Sequence, residues 1–269
     1  MLKHDFQPRY CGINMRVVSL VPSLTKTLFD LGMTANEVIG RTPWCIHPHG
    51  LVDDVEFVGG TKNPRIEKIR ALKPDLIVMD KEENPLKVFQ TLSAEGFNIF
   101  VSEVEAPEDV PQMLRDLGQA CGRTSAGEQL ALLCEDSLNQ IIPSVQSPRT
   151  LPLIWHKPLM AVSPRRYSGA ILSLVGFQVI DTHPDSNGYP EISIDDFISN
   201  RIELILLTSE PHKFTMAEGQ AIVDSIVAAG GDPPQVCLID GEDLTWFGST
   251  TGPAIARLRD FHQQLEGAN

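Results

Sequence analysis

From Arg16 onward, short apolar runs bounded by turn residues recur along the chain: Val17–Val21, Leu76–Met79, Ile99–Val101, Leu151–Trp155, Leu204–Leu207 and Val236–Ile239. Segments with apolar residues at helical spacing lie between them, among them Leu24–Leu31, Ile66–Leu72, Val110–Cys121 and Gly219–Ala229. A strand that is apolar at every position is buried on both faces. Such strands alternating with amphipathic helices predict parallel sheets covered by helices, and so an α/β fold.

Two features divide this pattern. A long helix is predicted from Ser125 to Ile142, with Ser125 and Glu128 at capping-box spacing and Pro143 as the stop. At 1.5 Å per residue it would reach roughly 27 Å, about the width of a small domain. The second feature is a repeat. Arg65–Glu82 (RIEKIRALKPDLIVMDKE) aligns without gaps on Ser193–Glu210 (SIDDFISNRIELILLTSE), each residue 128 positions from its counterpart. Each copy reads as a helix, a short basic turn and a buried strand ending in polar residues. The predicted organisation is an N-terminal α/β lobe over 15–122, a connecting helix over 123–145 and a C-terminal α/β lobe over 150–269. Residues 1–14 form a lead-in. Ligands of open parallel sheets sit beyond the carboxyl ends of the strands, so two lobes joined by one stiff helix would place those ends across a fairly preformed cleft.

Composition narrows the function. The 269 residues carry 22 basic and 35 acidic side chains, a formal net charge of −13. The only dense basic cluster is Arg165–Arg166, which argues against nucleic acid and against anionic lipid surfaces. No apolar run is long enough to span a membrane. The first twenty residues lack the apolar stretch of a secretory signal. Five scattered cysteines (Cys11, Cys45, Cys121, Cys134, Cys237) suit reduced thiols better than a disulfide framework. As written, the chain reads as cytoplasmic and monomeric, with a periplasmic or cell-surface address as the alternative if the N-terminus is truncated.

The stretches RVVSLVPSLTKTLFDLG, VIGRTPWCIHP and VGGTKNPRIEKIRALKPDLIV, continued by YPEISIDDFISNRIELILL and LIDGEDLTWFGS, resemble the helical-backbone metal-receptor superfamily. These are class III periplasmic-binding-protein folds that carry cobalamin, haem or iron siderophores for ABC importers. The resemblance covers essentially Arg16 to the C-terminus. It implies two Rossmann-like lobes with mainly parallel sheets joined by one long α-helix. It also implies a non-catalytic role as the substrate-binding component of an uptake system, with cobalamin or an iron chelate as the bound ligand. One acidic residue on each lobe would dock on a permease, and the matching positions are Glu67 and Asp195. Ordinary solvated carboxylates near helix N-termini would look the same.

The candidate ligand-binding residues cluster at strand ends: Ser23, Trp44, Cys45, His47, Glu83, Asn84, Trp155, Arg165, Tyr167, Glu210 and Trp246. All three tryptophans of the chain fall in these loops, where aromatic faces suit a large, flat, partly apolar ligand of corrin or porphyrin type. Plain packing of Trp155 at the end of a buried strand is the competing account. Cys45-x-His47 sets a soft sulfur near an imidazole and is a candidate for direct metal ligation. A buried thiol beside a hydrogen-bonded imidazole is the other reading. His47, His49, His156 or His212 would serve to cap the metal of a bound chelate. Arg165 and Arg166 suit ligand carboxylates or phosphates, or act as simple surface charges. No GxSxG, HExxH, P-loop or GxGxxG is present. Ferric-siderophore or haem binding is the alternative ligand class. A cytosolic metal or cofactor chaperone, or a metal-handling enzyme using Cys45 and His47, is the alternative of another kind.

Overall fold

The computed structural model describes residues 15–140 and 147–267, so the lead-in, Cys11, and the Ile142–Pro143 helix stop lie outside the described residues. The described chain divides into two compact units. The first comprises residues through Val104 together with Asp109–Glu135 and Trp246–Thr250; the second comprises Glu105–Glu108, Asp136–Thr245 and the segment from Thr251 onward.

In the first unit the elements run β1 (Val17–Ser19), α1 (Pro22–Asp30), β2 (Val38–Arg41), β3 (Glu56–Phe57), α2 (Ile66–Leu72), β4 (Leu76–Asp80), α3 (Leu86–Ala94), β5 (Ile99–Ser102) and α4 (Val110–Ala120), and then the start of α5 (Thr124–Asn139). The strands pair in parallel in the order β3-β2-β1-β4-β5. Leu76, Ile77, Val78 and Met79 are each no more than 2% exposed, as an apolar run in the middle of a sheet requires. Sequence periodicity did not resolve β2 and β3, which are four and two residues long.

α5 departs from expectation at its start. Ser125 lies inside a helix that has already begun at Thr124. Glu128 does not serve a capping box. Its carboxylate accepts from Arg115 of α4 at 2.8 and 3.1 Å, and Arg115 also reaches Glu135 at 2.7 Å. The two helices cross at facing glycines, where a Cβ on Gly118 would lie 2.8 Å from the Gly127 Cα.

The second unit contains β6 (Arg149–Trp155), β7 (Met160–Ala161), α6 (Tyr167–Leu174), β8 (Gln178–Val179), α7 (Ile194–Ser199), β9 (Leu204–Thr208), α8 (Met216–Ala228), β10 (Gln235–Ile239), α9 (Gly241–Thr245) and α10 (Thr251–Gly267). Its sheet runs β10-β9-β6-β7, with β8 also on β6. Only the β6–β7 pair is antiparallel. The apolar side is built from Leu151, Leu153, Ile205, Leu207, Phe197, Ile222 and Ile226.

The repeat extends to individual bonds. β4 and β9 begin and end at matched positions, as do the first residues of α2 and α7. Lys73 (φ 47°) and Arg201 (φ 48°), also matched, are the two non-glycine residues with positive φ among the described residues. Each ends its helix in the left-handed conformation usual for a C-terminal cap, where glycine is the common choice. An arginine then fastens each copy. Arg16 donates its backbone N–H to Asp75 at 2.8 Å and its guanidinium to the Leu72 carbonyl at 2.7 Å. Arg149 donates in the same way to Glu203 at 2.8 Å and to the Asn200 carbonyl at 2.7 Å. Asp75 and Glu203 return their N–H groups to the carbonyls of Arg16 and Arg149.

Candidate functional site

Strand order reverses around β1 and β4 in the first unit and around β6 and β9 in the second. Beyond the carboxyl ends of such a pair, diverging connections leave the crevice that ligands of open α/β sheets use. The residues that follow these four strands are therefore the place to look for chemistry.

In the first unit the turn after β4 is closed on itself. Asp80, only 4% exposed, accepts the N–H groups of Glu82 and Glu83 and the Ser102 hydroxyl at 2.7–2.9 Å. Asn84 spends its whole amide inside the turn. Its oxygen accepts the Asp80 N–H at 2.8 Å, and its nitrogen donates to the carbonyls of Leu20 and Thr61. Asn84 thereby ties the ends of β1 and β4 together. Ser23 is buried in the first turn of α1, and its hydroxyl has no hydrogen-bond partner among the described residues. Glu83 is half-buried in the β4 turn.

The loop after β2 separates its candidates. Trp44 is 66% exposed, whereas Cys45 is fully buried. The Cys45 Sγ lies 3.2 Å from the Thr42 hydroxyl, and burial pushes the thiol up, against hydrogen bonds from Thr25 and Thr42. The candidate pair is thus divided, with the Cys45 sulfur enclosed and His47 half-buried on the loop. His47 instead packs edge-on against His49 and Trp246, at ring separations of 4.4 and 5.1 Å. Trp246 is buried as well and acts as a wall for His47.

In the second unit Tyr167 is buried, with its hydroxyl 2.8 Å from Thr251 Oγ1. Arg165 ties the segment before α6 to the one after β8. Its guanidinium donates to Asp181 at 2.8 Å and to the carbonyls of Ser186 and His183, which uses three of its five N–H groups. Glu210 is half-buried in the turn after β9, its carbonyl 2.7 Å from the Thr208 hydroxyl.

What the second unit does assemble is an aromatic and imidazole cluster. Trp155, 42% exposed at the end of β6, stands edge-on to His212 at 6.1 Å. His156 and His212 lie 5.5 Å apart, and Phe214 packs against both rings. His156 Nδ1 and His212 Nε2 each lie 3.0 Å from the same oxygen, Glu218 Oε1. Glu218 Oε2 accepts the N–H and hydroxyl of Thr215 at 2.7 and 2.8 Å, the capping box that opens α8. Those Thr215 bonds, with His212 behind them, push the Glu218 carboxyl down to about 2. Among the described residues this is the one group of three side chains whose ligand atoms lie close enough to share a metal ion, all within 4.8 Å. Sequence reading placed Trp155, His156 and His212 at strand ends but missed Glu218. The available signal was the Thr215-x-x-Glu218 spacing just after His212.

A family model for periplasmic binding proteins matches residues 17–228. The chain belongs to that family. Among curated relatives of this chain, the vitamin B12-binding protein of Vibrio parahaemolyticus is 24% identical over 197 residues, covering 72% of this chain and 70% of the relative. The vitamin B12-binding protein of Yersinia pestis (strain Pestoides F) is 24% identical over 257 residues, covering 93% and 86%. Among solved structures, the periplasmic vitamin B12 binding protein BtuF of Vibrio cholerae matches with a TM-score of 0.75 at 21% identity, over 93% of this chain and 97% of its own. The periplasmic heme-binding protein RhuT of Roseiflexus sp. RS-1 matches with a TM-score of 0.72 at 21% identity, over 91% and 97%. At that identity the structural likeness shows the fold, the α/β arrangement of two mainly parallel sheets expected from the sequence. The relatives are named for binding, not catalysis, and no helix among the described residues is long and apolar enough to cross a membrane.

Proposed function

We propose that this periplasmic binding protein is the substrate-binding component of an ABC-type uptake system and captures a metal-bearing tetrapyrrole, cobalamin in the first instance, without transforming it. The observation that carries this reading is the pair of exposed indoles, Trp44 on the loop after β2 and Trp155 at the end of β6, the second backed by two imidazoles at the β6–β9 reversal. Exposed aromatic faces supply contact area for a flat macrocycle at little entropic cost. The vitamin B12-binding relatives support cobalamin. Haem is the second reading, favoured by the heme-binding structural relative and by two partly exposed imidazoles, a side chain that serves as an axial ligand to iron.

Glu67 and Asp195 are the proposed docking carboxylates. They occupy matched positions in the first turns of α2 and α7, and both are exposed. The Glu67 side chain is 82% exposed, with only a loose 3.8 Å approach to Arg70. The α7 capping box uses Asp196, which leaves Asp195 outside it. Family membership favours the periplasmic or cell-surface address over the cytoplasmic one. The buried Cys45 weighs against the chaperone reading.

Titration of the full chain with cyanocobalamin, haemin and a ferric-siderophore panel, followed by tryptophan quenching, tests the assignment. One tetrapyrrole should quench saturably, and Trp155→Ala and Trp44→Ala should each weaken it about tenfold, ~1.4 kcal/mol. Quenching by none of them, or affinity untouched by both variants, would sink the reading.

A further inference from the structure

We propose that His156, His212 and Glu218 form a site for a free divalent transition-metal ion of the zinc class, a ligand separate from any chelate. The three donors come from three segments: the residue after β6, the loop after β9 and the first turn of α8. Both histidine nitrogens converge on one carboxylate oxygen at 3.0 Å. On a zinc ion with bonds of about 2.0–2.1 Å, neighbouring ligand atoms stand roughly 3.3 Å apart. The two spacings to Glu218 are already close to that value, and all three donor atoms lie within 4.8 Å of one another.

The donors are also held in place before any ion arrives. Glu218 divides its oxygens: Oε2 is fixed by Thr215, and Oε1 is turned toward the imidazoles. Phe214 flanks both rings and Trp155 stands against His212, which limits the rotamers either histidine can adopt. Side-chain exposures of 31%, 31% and 24% for His156, His212 and Glu218 leave an open approach. Two imidazoles and one carboxylate with an open fourth position suit Zn²⁺, and Co²⁺ as its spectroscopic substitute. They suit Ca²⁺ or Mg²⁺ poorly, because those ions take oxygen ligands. A ring that gives its inner nitrogen's lone pair to the ion carries its proton on the other nitrogen.

The site stands whether or not the chain binds tetrapyrroles, and its test uses bare metal. Full-length protein equilibrated with Zn²⁺ should retain one equivalent after gel filtration, and Co²⁺ should give the intense visible bands of a low-coordinate nitrogen and oxygen site. His156→Ala and His212→Ala should each weaken Zn²⁺ binding by at least about tenfold, since even outer partners of metal ligands cost that much. Glu218→Gln, which keeps an oxygen for Thr215, should weaken it too while circular dichroism remains native. Cys237→Ser should bind as the parent does, which separates this site from chance capture by the half-exposed thiol. Retention of well under one equivalent, full affinity in both histidine variants, or loss of binding in Cys237→Ser would each overturn the proposal.

Discussion

The turn after β4 and the turn after β9 are the same piece of chain twice, and they use their polar groups in opposite ways. Asp80 matches Thr208, Glu82 matches Glu210, and Asn84 matches His212, 128 positions on. In the first unit Asp80 and Asn84 face inward, satisfy backbone N–H and C=O groups, and knit β4 to β1 and β5. In the second, the Thr208 hydroxyl needs only the carbonyls of Leu153 and Glu210 to settle the turn. His212 is thereby released to point at Glu218 and His156. A duplicated scaffold can keep its backbone path while one copy spends a position on stability and the other spends it on chemistry. The buried network is expensive to break, and the half-exposed imidazole is cheap to replace.

The largest effect should follow from Asp80→Ala. It strands two backbone N–H groups and the Ser102 hydroxyl, at ~1–3 kcal/mol for each group that stays dry. Urea unfolding should show a loss of about 3 kcal/mol; a loss under ~1 kcal/mol would mean the first turn is no more fastened than the second. Exchanging the matched residues comes next. Asn84→His should cost about 2 kcal/mol, because imidazole cannot both accept from Asp80 and donate to two carbonyls. The reciprocal His212→Asn should cost less than ~1 kcal/mol in the same assay. Equal costs would erase the contrast. The smallest effect sharpens it from the other side. Lys73→Gly and Arg201→Gly relieve the same left-handed φ and should each change stability by no more than ~1 kcal/mol, in the same direction. Thermal melts that moved in opposite directions would show that the repeat is equivalent in path but not in strain.

The sheet frame was legible because its strands are apolar at every position. Leu76–Met79 and Leu204–Leu207 are buried on both faces, and only a covered parallel sheet places such runs. The edges were not, since Glu56–Phe57 and Gln178–Val179 are too short to carry a period and owe their strand character to neighbours. Site residues were legible as places and illegible as orientations. Trp44 and Cys45 are adjacent, and one is largely exposed while the other is sealed against Thr42. Tyr167 and Trp246 lie in loop or helix-start positions, yet tertiary packing turns them inward. Glu218 was hidden by its ordinary role: a helix cap reads as local structure until the fold brings two imidazoles to its other oxygen.

The sealed thiols carry a practical consequence. Cys45, Cys121 and Cys134 are all buried and all belong to the first unit, while Cys237 of the second is partly open. An alkylating reagent attacks thiolate, and burial pushes the Cys121 thiol up to about 12, so these sulfurs react only when their surroundings part. Of these four sites, timed alkylation read by mass spectrometry would therefore label Cys237 fast and the other three slowly, as the first unit breathes. The molecule comes with its own stopwatch, set into one half, and needs no added dye to report how often that half comes open.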